Sequence, residues 1–323
     1  MSSAVVVGGG LAGITAALDL AAAGRQVTLL ESRPRLGGAT FSVERDGFWV
    51  DNGQHVFLRC CTAYRGLLER LGATVHTELQ ERLAIPVLRP GGRVSWLRRT
   101  GLPAPLHLGV SIARFGPLPP RDRVRLLPAI LALQQLSLDE LDAPVKVLAV
   151  PHDEAAELLP DGALPEGMDP RALGASPIVN LHVLYDRPVT THPFAAAVDS
   201  PVQWVFDRTD SSGVADGQYL AISLSGADGY DEKTVDDLRE TFVPALEDLH
   251  PAARDAEVVS FFVTREPRAT FRGVPGTHRH RPGPVTNVPG LFLAGAWTDT
   301  GWPATMEGAV RSGHAAAQAA VAA

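Results

Sequence analysis

One short stretch constrains this chain more than any other. Residues 4–7 (Ala-Val-Val-Val) form an apolar run that ends abruptly on Gly8-Gly9-Gly10-Leu11-Ala12-Gly13. Such a run, stopped by glycines, reads as a buried parallel strand. Ile14, Ala17, Leu18 and Ala21 then recur at helical spacing, and Gly24 stands where a helix end favours a residue with positive φ. Residues 26–30 read as a second strand, ending on Glu31. Strand, glycine turn, helix, strand is a βαβ unit, so the chain is committed to an α/β fold on a parallel, Rossmann-like sheet. Gly8, Gly10 and Gly13 satisfy G-x-G-x-x-G: the first allows the tight turn, the second lets backbone N–H groups approach a pyrophosphate, and the third lets helix pack close on strand. Leu11, Ala12 and Gly13 open the helix, whose N-terminal N–H groups carry partial positive charge. Glu31 is placed to accept both hydroxyls of a ribose and to repel a 2′-phosphate. The pattern predicts a bound dinucleotide.

At 323 residues the chain is long enough for about two domains. A formal net charge of −7 argues against a nucleic-acid partner, which would call for a stripe of basic residues. The only cysteines are Cys60 and Cys61, so there is no disulfide framework, and a reducing, cytoplasmic setting is expected. Taken alone, the pair reads as two small buried hydrophobes. The first strand follows Met1 so closely that no signal peptide is expected, and no apolar run reaches membrane-spanning length. No metal site is expected.

Further along, residues 63–71 read as a helix ending at Gly72. Scattered prolines (Pro103, Pro105, Pro117, Pro119, Pro120) break the next stretch, leaving residues 126–136 as a possible helix over an apolar cavity or lipid. Residues 145–150 look like another buried strand. Residues 178–224 are mostly β in pattern, 234–249 an amphipathic helix, 257–265 a strand, 291–295 a last buried strand, and 305 onward an alanine-rich helix.

Two flanking motifs give the dinucleotide site a more specific meaning. After Glu31 comes Ser32-Arg33-Pro34-Arg35-Leu36-Gly37-Gly38, a second glycine pair that can close over the same phosphates. Here the sequence resembles the amine-oxidase-like flavoprotein superfamily, which carries E-x-R-x-R-x-G-G-R at this point. Position 39 is Ala instead of the final Arg, so one usual contact is missing. Leu293-Ala294-Gly295-Ala296-Trp297 and Gly301-Trp302-Pro303-Ala304-Thr305-Met306-Glu307-Gly308-Ala309 resemble the C-terminal flavin motif of that superfamily. The resemblance implies FAD, held by Gly8, Gly10, Leu11, Ala12, Gly13, Glu31, Ser32, Arg33, Gly37 and Gly38 at one end of the chain. Gly295, Ala296, Thr305, Met306, Glu307 and Ala309 hold it at the other. The helix from Thr305 would turn its N–H groups toward the edge of the flavin that carries charge when reduced.

A third constellation, Asp51-Asn52-Gly53-Gln54-His55, lies between an aromatic and an apolar segment. With Cys60, Cys61 and residues 105–109, 201–208 and 296–311, it resembles one branch, the squalene-associated FAD-dependent desaturases. That resemblance implies removal of the allylic hydroxyl of hydroxysqualene to give squalene. It adds Gly53, Gln54 and His55 to the cofactor site, with His55 and Glu307 as catalytic candidates. The implied partner is an apolar isoprenoid, with peripheral membrane contact alongside. Trp204, Phe206, Trp297 and Trp302 would line its tunnel. Readings that stay open are a carotenoid-desaturase-like or amine-oxidase-like flavoenzyme and a shortened, inactive flavin-binding or interaction protein.

Where the superfamily has a large middle lobe, residues 138–142 run almost directly into 143–145. A domain-sized piece, on the order of a hundred residues, is expected to be missing there. The expected architecture is therefore a discontinuous FAD-binding domain (1–83, 143–160 and 284–323). A mixed β-sheet plus helix substrate domain (84–142 and 161–283) would be shortened near 142–145.

Overall fold

A computed structural model describes residues 3–103, 106–121 and 147–323. Thirteen strands are present among them. In chain order these are β1 (Ser3–Val7), β2 (Gln26–Leu30), β3 (Ser42–Arg45), β4 (Phe48–Asp51), β5 (Ala84–Arg89), β6 (Arg93–Arg98) and β7 (Val147–Leu148). They continue with β8 (Ser176–Tyr185), β9 (Phe194–Ala197), β10 (Trp204–Asp207), β11 (Gln218–Ser225), β12 (Val258–Thr270) and β13 (Phe292–Leu293). The proposed helix over residues 126–136 lies outside the described residues, as do Pro105 and the junction at 142–145.

The opening βαβ unit forms as its sequence predicts. β1 pairs in parallel with β2 on one side and with β7 on the other, and β13 completes a parallel sheet of order β13-β7-β1-β2. Residues far apart in the chain thus meet in one sheet. Helix α1 (Leu11–Ala22) crosses between β1 and β2 and ends in a Schellman arrangement. There Gly24 N–H donates to Ala21 O and Arg25 N–H to Leu20 O, with Gly24 at φ 79°. Its buried stripe is Ala12, Thr15, Ala16 and Leu20, not the Ile14/Ala17/Leu18/Ala21 face read from sequence. The closing helix Met306–Val321 lies across α1 and selects the small-residue side: a Cβ at Gly313 would stand 2.4 Å from Ala12 O. Close backbone approach here outweighs apolar bulk.

A second, seven-stranded sheet has the order β12-β8-β11-β10-β9-β5-β6, antiparallel except at the β5–β9 pair. One face packs on the amphipathic helix Val235–Leu249, where Leu238, Phe242 and Leu246 meet Val179, Leu181, Val183 and Ile222. Thr234 and Asp237 make a reciprocal capping box at its start. The other face carries Asn180 and His182 under the β3–β4 hairpin, in which Phe48 and Val50 cover Tyr219 and Phe262. His182 stacks on Phe262 (centroids 4.6 Å apart), with its ring nitrogens 2.6 Å from Tyr219 Oη and 3.0 Å from Thr264 Oγ1. Burial pushes its pKa down to about 3.

The β5–β6 hairpin was not foreseen in the proline-broken middle. Its signal is Pro90-Gly91-Gly92, with both glycines at positive φ (80° and 68°), the geometry of a tight hairpin turn. The strand expected at 291–295 is only Phe292–Leu293, because Gly295 turns the chain sharply at φ 145°.

Candidate active site

The site is built where the two ends of the chain converge on the parallel sheet. Gly8 sits at φ 104°, and a Cβ there would lie 2.3 Å from Ala149 O on the strand end after β7. A Cβ at Gly13 would lie 1.9 Å from Gly8 O, so the first turn of α1 rests directly on the loop. Gly10 caps α1 without any side-chain hydrogen bond, leaving the first N–H groups of the helix free of a side-chain acceptor. The second glycine loop closes on the first: Gly37 N–H donates to Gly9 O at 2.9 Å, and a Cβ at Gly38 would lie 2.9 Å from Gly10 Cα. Glu31 accepts from Gly9 N–H at 2.6 Å and Arg33 N–H at 2.9 Å, with Ser32 Oγ at 3.3 Å. The Arg33 and Gly9 amides hold its carboxyl below the usual range, so it stays anionic beside the loop.

The C-terminal half is shaped by a residue that the sequence reading missed. The half-buried Arg281 guanidinium donates to Trp297 O at 3.2 Å, Ala296 O at 3.3 Å, Thr298 O at 2.6 Å and Trp302 O at 2.8 Å. These carbonyls define the loop between Gly295 and the closing helix, and Arg281 folds it around a single cation. No sequence pattern marks Arg281, because its hydrogen-bond acceptors in this loop are all main-chain carbonyls. Gly295 N–H donates to Ser312 Oγ at 2.8 Å, and Thr305 Oγ1 accepts from Gly308 N–H at 3.2 Å to cap the closing helix. Met306 and Ala309 lie in that helix's first turn. Trp297 is buried core, not tunnel lining: it packs on Leu148, Leu173 and Leu293, and its indole N–H donates to Val150 O at 2.8 Å.

Glu307, a catalytic candidate by resemblance, lies buried between two helices. It is 1% exposed, and its carboxylate accepts from Ala63 N–H (3.2 Å), Tyr64 N–H (2.8 Å) and Arg311 Nε (2.7 Å). Ala63 and Tyr64 lie in the first turn of helix α2 (Thr62–Arg70), whose free N–H groups attract an anion. All three contacts hold structure together, tying the closing helix to α2.

His55 lies half-buried in the loop after β4. Burial pushes its imidazole below the ordinary histidine value, opposed by the Asp51 carboxylate and the Ala39 backbone and reinforced by Arg208. Asp51 is itself paired with Arg208 at 2.7 Å. Asn52 anchors the loop by donating to Ala39 O (3.0 Å) and Glu266 Oε1 (3.1 Å), while Asn180 Nδ2 donates to Asn52 O (3.0 Å). Gln54 Oε1 and Asn180 Oδ1 are buried acceptors with no hydrogen-bond partner. Trp204 and Phe206 stack at 6.2 Å on β10, and Trp302 lies under Arg311 at 4.8 Å.

These features fit FAD. The facing glycine loops leave no room for side chains, α1 presents free N–H groups, and Glu31 is the anion suited to ribose hydroxyls. Gln54 Oε1, a buried acceptor with no partner in the loop after β4, would accept from a hydroxyl or ring N–H of the cofactor.

Comparison with known proteins agrees. The sequence profile of the family "Flavin containing amine oxidoreductase" matches in two pieces, residues 11–145 and 139–321. Hydroxysqualene dehydroxylases from Sinorhizobium fredii and Rhodopseudomonas palustris are each 38% identical, over 177 and 179 residues (54% and 55% of this chain). The chain spans only 38% of the length of either relative. A 15-cis-phytoene desaturase from Glycine max is 23% identical over 452 residues, covering 98% of this chain and 79% of the relative. The fold is that of cyclohexylamine oxidase from Brevibacterium oxydans (TM-score 0.63, 15% identical, 99% of each chain covered). A putrescine oxidase variant gives a TM-score of 0.64 at 17% identity, with 98% of each chain covered.

Proposed function

Because this chain belongs to the flavin containing amine oxidoreductase family, we propose that its FAD site serves an isoprenoid substrate, in the reductive removal of the allylic hydroxyl of hydroxysqualene to give squalene. The observation that carries this reading is the 38% identity to hydroxysqualene dehydroxylases, in a chain whose two glycine loops close on each other at the start of α1. Bound FAD supplies the hydride chemistry. The chain's own residues bind and orient. Gly8, Gly10, Gly13, Gly37 and Gly38 hold the pyrophosphate region and Glu31 the ribose. Gln54 accepts a hydrogen bond, and the Arg281-folded loop closes the far side.

His55 is the residue proposed to meet the departing hydroxyl. With its pKa lowered by burial it is neutral at pH 7, so it donates a hydrogen bond from a ring N–H without carrying charge. That suits a site in which an allylic cation must not be repelled. Trp204 and Phe206 offer apolar walls. Glu307 acts as a positioning residue, holding the closing helix against α2.

Internal shortening is part of this reading. What supports it is that the two family matches meet at 139–145 and that the soybean alignment is far longer than the chain. Since 98% of 323 residues is about 317, at least about 130 of the 452 aligned positions fall opposite gaps. Among the described residues no helix is long and apolar enough to cross a membrane, and contact with a lipid surface is proposed only as the route by which an apolar substrate arrives.

Purified protein tests the reading in two steps. A flavin absorbance spectrum comes first, and a folded but colourless protein defeats the cofactor assignment. Incubation of the reduced holoprotein with hydroxysqualene, with products resolved by gas chromatography, should then yield squalene. Unchanged hydroxysqualene alongside dehydrogenation of phytoene would move the assignment to the desaturases, whose resemblance spans 98% of the chain.

A further inference from the structure

The function leaves the cysteine pair unused, and the structure does not bury it as expected: Cys60 is exposed, Cys61 is half-buried, and both thiols are free. Their backbone is well defined. Cys61 N–H donates to Leu58 O at 2.9 Å and Thr62 N–H to Cys60 O at 2.8 Å. With Cys61 at φ −74° and ψ 71°, this is an inverse γ-turn. Cys61 is also the N-cap of α2, one and two residues before Thr62 and Ala63, and Ala63 and Tyr64 donate to Glu307. The dithiol therefore sits on the main chain that connects to the flavin-motif helix.

A disulfide between the two is disfavoured. Adjacent Cα atoms lie about 3.8 Å apart across a trans peptide, below the roughly 4.4–6.8 Å that unstrained disulfides span. An inserted bridging atom enlarges the ring and relieves that constraint. Zinc takes four ligands, and among the described residues no third His, Cys, Asp or Glu completes a group. A soft centre that two sulfurs can hold suits such a pair.

We propose that Cys60 and Cys61 form a dithiol site for trivalent arsenicals, and that its occupation loosens the flavin cradle through α2 and Glu307. With a monosubstituted arsenical two As–O bonds break and two As–S bonds form. Both thiol protons leave in water, arsenic stays trivalent, and no electrons are transferred. The coupling, but not the chelate, rests on the FAD reading above.

The probe is phenylarsine oxide added to the full-length holoprotein, followed by intact mass and by fluorescence of released flavin. One adduct per chain is expected, removed by 2,3-dimercaptopropanol and not by 2-mercaptoethanol, and absent in Cys60→Ser and in Cys61→Ser. If the flavin-bound form alone loses one charge-assisted hydrogen bond at Glu307, flavin Kd rises about tenfold. Failure to form an adduct, or an adduct that persists in either Ser variant, overturns the dithiol site. An adduct that leaves flavin affinity unchanged overturns the coupling. Mass alone decides the chelate even if the protein binds no flavin, so its failure is separable from failure of the functional reading.

Discussion

Glu307→Ala separates the two roles that this glutamate can be given. The side chain is fully buried and joins two helices: it caps α2 through the Ala63 and Tyr64 N–H groups and pairs with Arg311 one turn along its own helix. Removing it strands two helix N–H groups, at about 1 kcal/mol or more each, since a buried donor left unpaired loses its solvation without recompense. Arg311 is 35% exposed, so loss of its partner is screened and adds at most about 1 kcal/mol. The expected destabilisation is about 2–4 kcal/mol, which in a chain of 323 residues lowers the thermal midpoint by about 3–6 °C. Glu307→Gln keeps one carbonyl oxygen for the helix and should lose about half as much. The assay is thermal unfolding of the flavin-free protein by circular dichroism, which turnover cannot influence. If both variants melt with the parent and only turnover disappears, Glu307 is an acid catalyst and the capping argument is wrong.

Three further outcomes follow from the same geometry. Gly13→Ala places a Cβ against Gly8 O, a backbone atom that can move only by distorting the loop. It should cost about 1–3 kcal/mol and weaken flavin binding more than tenfold, read by absorbance titration. Arg281→Met should release the Ala296–Trp302 carbonyls and lower flavin occupancy. Arg281→Lys should rescue only part, because a single ammonium cannot span four carbonyls. His182 and His250 are buried and neutral, with pKa values pushed to about 3 and about 4. The unfolded chain binds their protons at about pH 6.5, so stability is complete above that pH and falls as the pH drops from 6.5 toward 4. The slope is at most about 1.4 kcal/mol per pH unit per histidine, and urea midpoints across this range should flatten in His182→Gln.

Local chemistry was legible in the sequence. Gly8, Gly10, Gly13 and Glu31 act within one βαβ unit, so spacing alone located the turn, the helix start and the acid at the end of the second strand. The helix start near Thr305 and Gly24 as a helix end were readable for the same reason. Cys60 and Cys61 were misjudged because exposure is a property of what packs around a residue, and composition does not contain it.

What only the tertiary structure decided was which distant segments share a contact. The small-residue face of α1 is buried because the closing helix approaches within backbone contact at Gly313, a crossing that apolar periodicity cannot anticipate. Glu307 became a cap because α2, more than 240 positions away in sequence, ends its free N–H groups there. Arg281 took its role from main-chain carbonyls, which every residue possesses and no motif records. The sequence by itself determined the dinucleotide loop, since its glycines answer to local sterics. The roles of Glu307, Arg281 and the cysteine pair depended on long-range packing, where the partner, and not the residue, sets the chemistry.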